Sequence, residues 1–123
     1  MGAISIHHVQ LPFPLEKGAE IQRFYTVHLG LKEIISFQQG GYRFALGEIW
    51  LDFAPSPAQV RDLIAQVAIH VEDLPALRHR LVKDGYVLDE SIALNGYRRF
   101  FVDDPAGNRL EILEQEPHGA YTV

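Results

Sequence analysis

Four side chains in this 123-residue chain could do chemistry together: His8, Asp52, Gln66 and Glu111. One imidazole nitrogen and three oxygens suit a hard or borderline divalent ion (Zn, Ni, Co, Mn or Mg) with positions open for water or substrate. Gln66 is neutral and a weaker ligand than histidine, so the site would hold its ion less tightly than one with two histidines. No short-range signature such as H-E-x-x-H gathers these residues. Their meeting depends wholly on the fold. Glu111 and Asp52 are also the candidate catalytic residues, general bases whose proton affinity metal contact and partial burial would set.

The elements that must position them follow from periodicity. His8 sits in a strand over residues 4–11 that Pro12 and Pro14 stop. A helix over 16–29 buries Ile21, Phe24, Tyr25, His28 and Leu29, with Gly30 where a helix-terminating glycine belongs. Strands over 33–38, 42–46 and 49–54 follow as a meander, with turns at Gly40-Gly41 and Gly47-Glu48. Pro55-Ser56-Pro57 opens a linker over 55–65, and the order then repeats. A strand over 66–71 leads to a helix capped by Asp73, with Leu74, Leu77, Leu81 and Val82 as its stripe and Gly85 as its stop. Strands over 86–89, 97–102 and 109–113 complete the second half, and a tail over 115–123 has no period. The last strand is entered through Asp104-Pro105-Ala106-Gly107-Asn108, whose proline and glycine supply turn geometry.

The halves answer each other at a shift of roughly 55 to 59 residues, as two copies of one β-α-β-β-β unit. Each unit predicts a mixed sheet with a helix on one face. The helix must cover Val9, Leu11, Leu51, Phe53, Val67, Ile69, Val71, Leu110 and Ile112. Alternation then puts His8, Gln10, Trp50, Asp52, Gln66, Ala68, His70, Arg109 and Glu111 on the opposite face. That set is too polar for a second core and suits a cleft with polar groups over an apolar floor. Trp50, Phe44 and Phe100 are candidates for the floor, and Arg98 or Arg109 for an anionic substrate group; Gln10 and His70 complete the expected lining. His7, His28, His79 and His118 are expected to be structural or surface residues.

Composition narrows the function classes. With a net charge of −5 there is no basic surplus for nucleic acid. No apolar run approaches the roughly 20 residues that span a bilayer, and no secretory leader is apparent, so no membrane partner is expected. The absence of cysteine removes disulfides, thiolate ligands and a cysteine nucleophile. A cytoplasmic protein is the default expectation.

His8-Val9, the Phe24-Tyr25 helix ending in Leu29-Gly30-Leu31, Val71-Glu72-Asp73-Leu74 and Asp104-Pro105-x-Gly107-Asn108-x-Leu110-Glu111 carry a family resemblance. Over residues 4 to 114 the chain resembles the vicinal-oxygen-chelate superfamily of glyoxalases, bleomycin-resistance proteins and extradiol dioxygenases. The resemblance implies an α+β domain of two paired βαβββ modules, 4–54 and 66–114, forming a cupped mixed sheet around a central cavity. It implies a homodimer and a divalent metal that chelates two neighbouring substrate oxygens. His8 stands as the first-strand ligand and Glu111 as the closing acid. Asp52 stands where Glu, Gln or His is common, and Gln66 where the metal-dependent members usually have His.

The first functional expectation is a glyoxalase-type lyase or isomerase acting on a small substrate with two adjacent oxygens, through a metal-stabilised enediolate. The alternative is a metal-free, bleomycin-type drug-binding protein, which the acidic charge and Gln66 favour. An extradiol dioxygenase ranks third, because it would need two histidines and a glutamate around iron.

Overall fold

The structure, a computed structural model, describes residues 2–3, 5–34, 40–57 and 65–117. It divides into two compact units, Met1–Val60 and Arg61–Val123. Each contains a four-stranded mixed sheet, and the α+β expectation holds.

In the first unit, β1 (His8–Phe13) pairs in parallel with β4 (Ile49–Pro55), which is followed outward by β3 (Tyr42–Leu46) and β2 (Lys32–Ile34). β1 begins four residues later than expected and runs through Pro12. It is an edge strand, so a missing N–H on its open side costs no ladder bond. Ile4, the 35–38 part of the expected second strand, most of the linker and His118 with the rest of the tail's end lie outside the described residues.

The helical segment opens with a 3-10 turn, Leu15–Lys17, continues as α1 (Gly18–Arg23) and finishes as a wide π-type turn, Phe24–His28. The wide turn brings Phe24, Tyr25 and His28 inward together. Leu31 N–H then bonds the Tyr25 carbonyl across Gly30, whose φ of 69° only glycine adopts without strain. Tyr25 stacks on Phe44 (5.5 Å) and packs on Phe53 (4.6 Å), so the sheet's apolar face is closed by aromatic rings.

The second unit repeats the plan with β5 (Val67–His70), α2 (Leu74–Lys83), β6 (Leu88–Asp89), β7 (Tyr97–Asp103) and β8 (Arg109–Gln115), in the order β5-β8-β7-β6. The parallel register repeats as well: Val9 lies opposite Leu51, and Val67 opposite Leu110. In α2, Leu74, Leu77 and Leu81 are buried, whereas Val82, expected in the stripe, is exposed. Asp73 caps the helix by accepting from Ala76 N–H (3.2 Å), in a left-handed conformation. The Glu114 carboxylate takes the neighbouring donors Asp73 N–H (2.7 Å) and Leu74 N–H (3.0 Å). Those bonds, with Arg98 nearby, hold its pKa below the usual carboxylate range against the opposing effect of desolvation. No described helix is long and apolar enough to cross a membrane.

Candidate functional site

The turn before β8 sets the register of Glu111. Asp104 is 4% exposed, and its Oδ1 accepts from Ala106 N–H and Asn108 N–H, both at 2.9 Å. Its Oδ2 accepts from the Asn108 side-chain amide at 3.0 Å. Gly107 sits at φ 86°, and Asp104 N–H closes the loop on the Asn108 carbonyl. The chain therefore leaves the turn with Leu110 and Ile112 buried and with Arg109 and Glu111 on the opposite face. In the first unit, the two-residue turn at Gly47-Glu48 places Arg43 directly opposite Asp52.

That pairing decides the state of Asp52. It is 4% exposed, and Arg43 donates to both of its carboxylate oxygens at 2.8 Å. The bidentate contact raises the Arg43 pKa further, mainly through the hydrogen bonds, and takes one acceptor direction on each Asp52 oxygen. Arg43 also lies over the Trp50 ring, 5.5 Å from its centroid. Trp50 shares this face with His8, which is opposite it on β1. His8 is exposed, and its Nδ1 lies 3.0 Å from the Nδ1 of His7. His7, expected to be a structural or surface residue, is exposed as well.

In the second unit, Arg99 donates to one oxygen of Glu111 at 3.0 Å. Phe101 lies directly opposite Glu111, with the guanidinium groups of Arg99 and Arg109 at 5.2 and 5.1 Å from its ring. Arg109 is held by Asp89 (2.9 Å), with Asp103 at 3.9 Å. Asp89 has its pKa lowered first by Ser91 hydroxyl and backbone donors, with Arg109 adding to the effect. Gln66 turns its carbonyl oxygen back to accept from Arg109 N–H at 3.1 Å. His70 is exposed and lies opposite Leu113 on the same face as Glu111. Gln10 is exposed and lies opposite Asp52.

Three expected lining residues lie elsewhere. Phe44 is fully buried opposite Leu51, packed on Tyr25 in the core. Phe100 is fully buried opposite Ile112, so the second unit's aromatic on the open face is its neighbour Phe101. Arg98 lies opposite Glu114 on the helix side and pairs with it at 2.7 Å. Sequence reasoning missed Arg43, Arg99 and Phe101. The short hairpin at Gly47-Glu48 carried the signal for Arg43. Alternation from an inward Val102 carried it for Arg99 and Phe101.

The four expected ligands fit a divalent ion poorly. Asp52 has both oxygens bonded to a guanidinium, Gln66 turns its carbonyl oxygen to the backbone, and Glu111 shares an oxygen with a second guanidinium. Bringing a dication to these acids would set it against Arg43 and Arg99. Among the described residues, no group of three or more His, Asp or Glu side chains is arranged to hold an ion.

Comparison with known proteins sets this arrangement in context. A Bacillus anthracis protein assigned to the glyoxalase family is 27% identical; the match covers 94% of this chain and 98% of that one, with a TM-score of 0.83. TnmS3, an antibiotic-binding protein from a Streptomyces species, is 18% identical over 94% and 100% of the two chains, with a TM-score of 0.71. The Listeria monocytogenes fosfomycin resistance protein FosX is 17% identical over 91% of each chain, with a TM-score of 0.72. The last two likenesses show the fold alone. A search of curated proteins returns no match. The family model for the Glyoxalase/Bleomycin resistance protein/Dioxygenase superfamily matches residues 5–112, and the chain belongs to that superfamily.

Proposed function

We propose that this protein binds an organic small molecule or drug on its helix-free sheet faces, without a divalent ion at His8, Asp52, Gln66 and Glu111. The observation that carries the reading is the bidentate Arg43–Asp52 pair, which commits a would-be metal ligand to a protein cation. Trp50, with one guanidinium over its ring, and Phe101, with two, give those faces flat apolar surface with positive charge alongside. Such surfaces take planar or partly apolar ligands. Antibiotic binding by TnmS3 and fosfomycin resistance by FosX show that this fold serves proteins that handle drugs. We place the protein in the cytoplasm as a homodimer.

A metal-dependent lyase or isomerase is the second reading. It is favoured by the exposed His8 on the opening strand and by Arg99 engaging only one Glu111 oxygen by hydrogen bond.

One experiment separates the two. The purified protein is assayed for bound metal and titrated with Zn, Ni, Co, Mn and Mg. Its single tryptophan, Trp50, is then used as a fluorescence reporter for a panel of antibiotics in the presence of chelator. Saturable quenching that survives chelator supports the binding reading. Stoichiometric metal that is lost in a His8→Ala variant, together with ligand response only when metal is present, overturns it.

A further inference from the structure

We propose a second ligand site in the second unit, between α2 and the loop after β6, that takes an organic anion with a short apolar body. A groove of about 360 Å³ runs between the first turn of α2 and the loop joining β6 to β7. Its apolar wall is made by Leu74, Pro75, Ile92, Leu94 and Tyr97. Ile92, Leu94 and Tyr97 are 57%, 36% and 36% exposed, so apolar side chains stand open to water along the groove. The volume lies at the lower end of the range of small-molecule sites.

Charge selects the occupant. Arg78, Arg98 and Arg99 line the groove, and of their acid partners Glu90, Glu114 and Glu111 it is Glu90 that lines it with them. Two of these cations are committed. Arg78 forms a two-pronged pair with Glu90, at 2.6 and 3.0 Å. Arg99 holds the loop by donating to the Ile92 carbonyl (3.1 Å) while it bonds Glu111.

Arg98 differs. Its side chain is 44% exposed, and its partner Glu114 already accepts two backbone N–H groups at the start of α2. When Arg98 turns toward an incoming carboxylate, Glu114 keeps those two N–H donors, so its carboxylate stays hydrogen-bonded. The groove thus offers an apolar wall and one movable guanidinium at its rim, which is the pattern a short-chain carboxylate matches.

Octanoate is the probe, with octanol as the uncharged control and isotope-labelled full-length protein observed by NMR. Octanoate should give saturable amide shifts at Ile92, Ala93, Leu94 and Tyr97, with much smaller shifts from octanol. Arg98→Ala should weaken octanoate binding by about tenfold. Arg98→Gln serves in its place if the alanine variant does not fold, and thermal melts check both. The proposal is overturned if octanoate does not saturate at the loop or if octanol shifts it equally. It also fails if the Arg98 variants bind as the parent does, or if the shifts fall at Trp50 and Phe101 instead.

Discussion

Replacing Asp104 by alanine tests whether the turn before β8 holds the fold and the position of Glu111. The side chain is 4% exposed and accepts three hydrogen bonds, two from backbone N–H groups and one from the Asn108 amide. A hydrogen bond to a charged acceptor contributes about 1.5–3 kcal/mol, and stranding a buried donor costs about 1–3 kcal/mol. The three share one carboxylate, and the Asn108 amide can reorient, so the losses do not simply add. An expected destabilisation of about 3–4 kcal/mol follows. For a domain of this size that lowers the melting temperature by roughly 10–15 °C. Asp104→Asn keeps an acceptor oxygen without its charge and should lose about half as much. The internal control is Asp103→Ala: its side chain is 59% exposed and its ion-pair contact to Arg109 is 3.9 Å, so a change below about 0.5 kcal/mol is expected. Thermal and urea unfolding measure all three. If Asp104→Ala costs no more than Asp103→Ala, the carboxylate does not hold the turn, and the account of how Glu111 is aimed fails with it.

Phe44→Ala should cost about 3–5 kcal/mol in urea unfolding, as a core ring packed on Tyr25; near-parental stability with lost ligand binding would return Phe44 to the pocket. Glu114 has a folded pKa below its ordinary value of 4.5, so its stabilisation is present above that pH and is lost as pH falls through the folded value. Melts from pH 6 to pH 3 should therefore show an acid-side loss that is smaller in Glu114→Gln, and parallel curves would refute it. Arg43→Met releases the Asp52 carboxylate and should raise affinity for Ni or Zn above that of the parent by calorimetry, a gain that His8→Ala reverses. Equal affinity in parent and variant would show that the Arg43 pair is not what opposes the ion.

The sequence alone determined much of this protein. Three-and-four spacing, two-residue alternation and glycine stops marked both helices and the strands, because those periods are properties of backbone geometry. The likeness of the two halves and the turn at Asp104 to Asn108 carried the family. Alternation also put His8, Asp52 and Glu111 on the helix-free faces. It separates Phe100 from Phe101 only once Val102 is known to face inward, since adjacent rings on a strand point oppositely and both suit a core. The antiparallel register of Phe100 with Ile112 settled that choice. Hairpin length and alternation put Arg43 and Arg99 on the faces of these acids, but not in contact with them. Arg43 precedes Asp52 by nine residues and Arg99 precedes Glu111 by twelve, and only strand register and side-chain reach make them ion pairs. Four ligand-type residues in matching positions read as a metal site from the chain alone. Folding gave two of their carboxylates to guanidinium groups, because an acid removed from water takes the strongest donor within reach.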